Sequence, residues 1–277
     1  MNARVKAPVS SPAQHQNNLT KLLEQNAHRH QLFDVFRDFV EMSALAISNS
    51  VDLANQARRE ARYMDIIKAY NKEEAARFPK MLGELVCALE CGPDDVLGQV
   101  FHSLELSNAA RGQLFTPYSV CQVMARMQVG DTPDLRQRIE ERGFITVSEP
   151  ACGAGAMVIA IAETMTDRRV NYQQHLHVTA VDIDPRAVHM AYLQFSLLGI
   201  PAVVIRGNAL LLEELEHWYT PMHVTGLWDY KLRRGYALGS ALDQTEPAPA
   251  PALPEPPTPA LPLPVPTHNQ EAQFALF

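Results

Sequence analysis

From residue 143 onward the hydrophobic period changes, and that change decides the fold class. Phe144-Ile-Thr-Val-Ser-Glu149 is a short apolar run, Pro150-Ala-Cys-Gly-Ala-Gly155 is a tight turn, and Ala156 to Met165 is a helix apolar nearly all round. His177-Val-Thr-Ala-Val-Asp182 and Ala202-Val-Val-Ile-Arg206 repeat the strand pattern. Between them Asp184 caps a helix that Pro185 opens and Gly199 closes. Strands alternating with helices predict a parallel α/β sheet. Upstream the period is helical instead. Leu32, Phe33, Phe36, Phe39 and Val40 form one apolar stripe, and Tyr63, Ile66, Ile67 and Tyr70 form another. A third helix, from Phe78 to Leu89, ends at Cys91-Gly92-Pro93, and Asp94 or Asp95 caps a short helix after it. The expected organisation is a disordered stretch (1–13), an all-helical N-terminal domain (14–110), an α/β domain (111–240) and a tail (241–277). Residues 247–266 hold 10 of the chain's 20 prolines, which predicts an extended, disordered spacer.

Charge and cysteine usage narrow the function classes. With 24 basic and 31 acidic residues the net charge is −7, which disfavours a long autonomous grip on DNA. Arg58/Arg59/Arg62 and Lys231/Arg233/Arg234 are the local basic patches, and each also reads as a solvated charged face. Cys87, Cys91, Cys121 and Cys152 lack the paired spacing of a metal site or a disulfide framework, so they read as buried thiols in a reducing compartment. His28/His30 and His175/His177 are incomplete as ligand sets, and no metal is expected. The first fourteen residues carry no apolar signal core and no apolar run approaches membrane-spanning length, so the expectation is a cytoplasmic protein with no membrane partner.

Open parallel sheets bind ligands at the carboxyl ends of their strands, where strand order reverses. Three such ends are visible: Glu149 to Gly155, Val181 to Asp184 and Gly207 to Leu210. Gly153 and Gly155 let backbone approach a ligand, and Asp182 is placed to accept from two ribose hydroxyls. A dinucleotide turn wants a small residue at its third glycine position, beside the pyrophosphate. Here that place is Val158. A cofactor without a pyrophosphate tolerates valine there; NAD is disfavoured.

Arg111-Gly-Gln-Leu-Phe-Thr-Pro117, Glu149-Pro-Ala-Cys-Gly-Ala-Gly155 and Val181-Asp-Ile-Asp-Pro185 together resemble three consecutive motifs of N6-adenine DNA methyltransferases, above all the modification subunit of type I restriction-modification systems. The resemblance covers residues about 94 to 210 and implies a Rossmann-like methyltransferase sheet that binds S-adenosyl-L-methionine. It implies that Phe115, Thr116 and Pro117 cradle the methionine part and that Glu149 balances its ammonium. Gly153 and Gly155 would give backbone access, Asp182 would bind the ribose, and Ile183 would lie against the adenine. Asn208 stands where the family has an aspartate that accepts from the adenine amino group, and weakened binding is expected there.

The family transfers its methyl group with an Asn/Asp-Pro-Pro-Tyr/Phe segment at the end of a fourth strand, because two acceptors and a stacking ring must hold the flipped base. No such tetrapeptide occurs in this sequence. Leu211 to Leu238 can supply a helix and one short strand, His223 to Trp228, so the first strand should present an open edge. The 218–236 segment, the N-terminal helices, a second methyltransferase subunit or a second copy could cover it. Three readings stay open: a working adenine methyltransferase whose target base stacks on Trp218 or Tyr219; a cofactor-binding protein silent on its own; or an interaction protein. DNA is the expected partner of the first. The last five residues, Gln273-Phe-Ala-Leu-Phe277, resemble the pentapeptide by which bacterial replication proteins dock on the sliding clamp, with Gln273, Leu276 and Phe277 as its anchors.

Overall fold

The structure is a computed structural model describing residues 11–104, 116–130 and 132–245. Phe115, the proline-rich spacer and Gln273, Leu276 and Phe277 lie outside the described residues. Six helices come first: α1 (Pro12–Asn26), α2 (Leu32–Ser48), α3 (Gln56–Ile67), α4 (Lys72–Ala75), α5 (Phe78–Glu90) and α6 (Val96–Ser103). The α/β part then runs α7 (Tyr118–Val129), α8 (Thr132–Arg142), β1 (Ile145–Glu149), α9 (Ala156–Asp167), α10 (Tyr172–His175), β2 (Leu176–Asp182), α11 (Pro185–Leu198), β3 (Ala202–Asn208), β4 (Glu213–Tyr219), α12 (Pro221–Thr225), α13 (Trp228–Arg234) and α14 (Ala241–Thr245).

The four strands form one sheet in the order β1-β2-β3-β4. The first three are parallel, with Glu149 opposite Ala180 and Asp182 opposite Arg206. β4 returns antiparallel along β3, with a register shift at Arg206/Gly207. This corrects the sequence expectation for the last strand. His223 to Trp228 is α12 and the start of α13, and the strand is Glu213–Tyr219.

Helix α11 joins the helical region to the sheet. Ala187 through Phe195 are all buried, because one side of the helix packs on β2 and β3 and the other on α2. Phe36, Phe39, Tyr192, Phe195 and Val204 belong to one continuous core. Each such side chain contributes roughly 1.5–3 kcal/mol by leaving water. Asp184 Oδ1 accepts from the Arg186 amide, and Gly199 ends the helix at φ 67, as the cap and stop residues require.

On the other face, Trp228 is fully buried, its ring centroid 5.2 Å from both Phe144 and His177. Behind it runs a polar chain: His177 Nε2 lies 2.9 Å from His223 Nδ1, and His223 Nε2 lies 3.2 Å from Asp229. Burial, reinforced by the neighbouring ring, holds His177 down at about 4. The Ala237 amide donates to Arg142 O at 2.8 Å, so the segment after α13 seals the amino end of β1. It does not lie along the strand. β1 therefore pairs with β2 on one side only, and among the described residues no strand takes its other edge.

Several local expectations change. Arg59 is buried, donating to Asp52, Ser48 and the His217 carbonyl; Arg58 pairs with Glu216 and Arg62 with Glu41. Only Arg59 is withdrawn from solvent; Arg58 and Arg62 stay exposed and paired with acids. Cys121 and Cys152 are buried as expected, but Cys87 and Cys91 are exposed, because the last turn of α5 points them outward. No group of three or more metal-ligating side chains occurs among the described residues. No described helix is long and apolar enough to cross a membrane.

Candidate cofactor site

The carboxyl ends of β1, β2 and β3 bring Glu149, Asp182 and Asn208 to one end of the sheet, on strands spaced about 4.8 Å apart. Asp182 organises the first two ends. Its Oδ2 accepts from the Gly153 amide at 2.9 Å and its Oδ1 from the Asp184 amide at 2.9 Å. Burial raises the carboxyl above its ordinary value, opposed by these amide bonds. Each oxygen keeps a second lone pair, so the carboxylate still has acceptors to offer a diol.

The glycine turn is held from both sides. The Cys152 amide donates to Val181 O at 2.9 Å, and the Gly155 amide closes the turn onto Cys152 O at 2.8 Å. Gly155 sits at φ 97 and Gly153 at φ 54, both in the left-handed region. A Cβ on Gly155 would run into the Phe195 ring, so this glycine is needed twice over. Beside the turn Cys152 is buried, which pushes its thiol well above the usual range and makes it inert.

Ile183 is 66% exposed between Asp182 and Asp184, a large apolar side chain left mostly in solvent. Glu149 accepts from the Ala151 amide at 3.3 Å through Oε1. Thr116 and Pro117 are exposed at the start of α7, where Pro117 takes the N-cap position. Asn208 differs from its expected role. Its Oδ1 accepts from the Leu210 and Leu211 amides at 3.0 and 3.2 Å. The oxygen expected to meet an adenine amino group is therefore committed to the β3–β4 turn, and the Nδ2 donors are what remain.

Trp218 and Tyr219 are not at this site. They pair with Val204 and Val203, at the amino half of β3. Tyr219 is thus five residues, about 17 Å, from the Asn208 end. Trp218 is 2% exposed, under the Arg59 guanidinium at 4.2 Å. Because β4 runs antiparallel, its last residues lie away from the strand ends where a cofactor would sit, and neither ring can stack on a base there.

Gln194 was not evident from the sequence. Fully buried on α11, it donates to Ala154 O at 2.8 Å and Asp95 at 2.9 Å, while its Oε1 accepts from the Leu97 amide at 2.9 Å. One side chain thus ties the glycine turn to the start of α6. The only signal was a lone amide in an otherwise apolar helical run.

Residues 94–225 match the family model described as N-6 DNA Methylase. No curated protein matches the chain. A solved structure from Listeria monocytogenes, described as a class I S-adenosylmethionine-dependent methyltransferase, aligns over 82% of this chain and 72% of that one, at 13% identity and a TM-score of 0.39. A likeness that low carries no argument. The glycine turn, the acid after β2 and the helical approach through Asp95 all fall within the matched residues. The residues that resemble the N-6 DNA methylase model, 94–225, carry all four strands of the sheet and the three strand ends of the candidate site.

Proposed function

We propose that the chain binds S-adenosyl-L-methionine at the ends of β1–β3 and serves as the cofactor-holding part of an adenine-N6 DNA methyltransferase, with a second polypeptide needed to present the base. The observation that carries the reading is the Gly153–Asp182–Asp184 clamp beside an exposed Ile183. These residues fit the cofactor. Asp182 offers its free lone pairs to the ribose, Ile183 an apolar face to the adenine, and the left-handed glycines a side-chain-free wall to the methionine part. Glu149 would meet the ammonium through Oε2, Thr116 and Pro117 would flank it, and Asn208 would meet the adenine as a donor to a ring nitrogen; Phe115 joins them on the sequence motif alone. The bound cofactor would supply the electrophilic methyl group.

The chemistry of transfer also needs acceptors for the adenine amino group, and the sequence lacks the Asn/Asp-Pro-Pro-Tyr/Phe segment that supplies them in the family. This favours the silent reading over a self-sufficient enzyme. A β1 edge that no strand among the described residues pairs with supports it, as does a helix face on α7 where Val120, Val123, Met124 and Met127 are 41–77% exposed at helical spacing. Such a stripe marks an interaction surface. A DNA modification subunit, or a second copy of this chain, is the partner that would complete the sheet.

Calorimetric titration with S-adenosylmethionine tests the site. Asp182→Ala should weaken binding by about 2–3 kcal/mol, the value of hydrogen bonds to a charged group. No heat from wild type at millimolar cofactor would end the proposal. The C-terminal Gln273, Leu276 and Phe277 fit a tether to the sliding clamp. A peptide of residues 267–277 should bind purified clamp and lose binding on Leu276→Ala with Phe277→Ala; a wild-type peptide that does not bind refutes the tether.

A further inference from the structure

We infer that a second site, built for the oxyanion of a phosphate group, lies on the α11 face of the sheet beside β3 and β4. A cavity of about 520 Å³ opens there between α2, α3, the start of α11 and the last two strands. Arg59, Arg206, Trp218 and His189 all line it. Arg59 and Trp218 are each 2% exposed and His189 7%.

Hydrogen-bond accounting gives the cavity its character. Arg59 Nε, Arg206 Nε and Trp218 Nε1 are buried and without a partner, as is His189 Nδ1. The first three can only donate. The acids of the same wall pair with other nitrogens, not with these donors. Glu41 accepts both Arg62 Nε and Nη2, Glu216 accepts Arg58 at 2.9 Å, and Asp52 accepts Arg59 Nη1. Burying donors without acceptors is costly, so native interiors seldom do it.

The missing partner must accept from several directions. A single water accepts only two hydrogen bonds, too few for three donors that arrive from α3, β3 and β4. A planar carboxylate presents two oxygens, whereas the orphan donors come from α3, β3 and β4. A tetrahedral phosphate presents three or more, and Arg is the side chain best matched to it. The cavity is large enough for more than the anion alone, so the phosphate can belong to a free phosphate ester or to a DNA backbone. Both share the chemistry that the cavity reads. The site does not depend on the cofactor reading, although Arg206 is the register partner of Asp182 and so lies one strand away from it.

The chain has two tryptophans, Trp218 and Trp228. In a full-length Trp228→Phe background, Trp218 fluorescence reports directly on the cavity. Titration with inorganic phosphate, and separately with a short duplex DNA, should give a saturable change in at least one arm. Arg206→Gln should weaken that response about tenfold, with an unchanged thermal midpoint. A response to phosphate alone assigns a free ester. A response confined to duplex, falling steeply with salt, assigns the DNA backbone. If Arg206→Gln does not fold, Arg62→Gln at the half-exposed rim serves the same comparison. No saturable response in either arm, or a response that both variants leave intact, overturns the site.

Discussion

The two edges of the sheet are finished to different standards. At the β4 edge, Arg58 reaches from α3 to Glu216, and buried Arg59 donates to the His217 carbonyl at 3.0 Å. Glu213 and Glu214 add negative charge along the same strand. Charges, a short strand and a covering helix are the devices by which proteins keep an edge from recruiting another strand. β1 is also short, but its one charge, Glu149, stands at its carboxyl end. Its five residues alternate half-buried Ile145, Val147 and Glu149 with exposed Thr146 and Ser148, and its outer edge has no partner among the described residues. The β4 side is anchored by its own chain; on the β1 side, which carries the glycine turn, no strand among the described residues takes the edge.

The comparison breaks most completely if the chain alone methylates DNA. Purified protein with labelled cofactor and mixed genomic DNA should transfer nothing above background, since the open edge is where a base-holding strand would stand. Clear incorporation at adenine would mean that the target site has been built elsewhere. Trp218→Ala probes the closed edge. It empties the space under Arg59 and against Tyr192 and should cost about 3–5 kcal/mol in urea unfolding. Cofactor affinity should stay put, because the residue lies away from the strand ends; a matching loss of affinity would argue against that geometry.

Protonation should weaken the closed side too, by a smaller amount. Burial holds His189, packed edge-on to Trp218, down at about 4, whereas an unfolded histidine titrates near 6.5. The unfolded chain therefore binds the proton first. The contribution is complete above pH 6.5 and is lost as pH falls toward 4, at up to about 1.4 kcal/mol per pH unit. Other groups titrate in the same window, so the informative quantity is the difference from His189→Gln. That variant should have an acid slope shallower by one proton. Equal slopes would place His189 in water instead.

The sequence was a good guide wherever an element carries its own signals. β1, β2 and β3 are short apolar runs, and α11 has its cap, proline and terminal glycine in place, so each was legible within a residue or two. β4 was not. Glu-Glu-Leu-Glu-His-Trp-Tyr is too polar to read as a strand, and what stabilises it is remote: Arg58 and Arg59 lie some 158 residues away along the chain. At the site, Asp182 and the two glycines could be read because a turn needs them locally. The commitment of Asn208 Oδ1 could not, since it depends on how the β3–β4 turn folds back. Motif resemblance assigned that oxygen a ligand; the backbone had already claimed it.

Gln194 makes the helical region more than a neighbour of the glycine turn. Its amide holds the glycine turn at Ala154 O and the start of α6 at Leu97 and Asp95 together. Whatever restrains α6 must also restrain the turn, and linkage makes the effect mutual: a cofactor that orders the turn strengthens the hold on α6 by the same free energy.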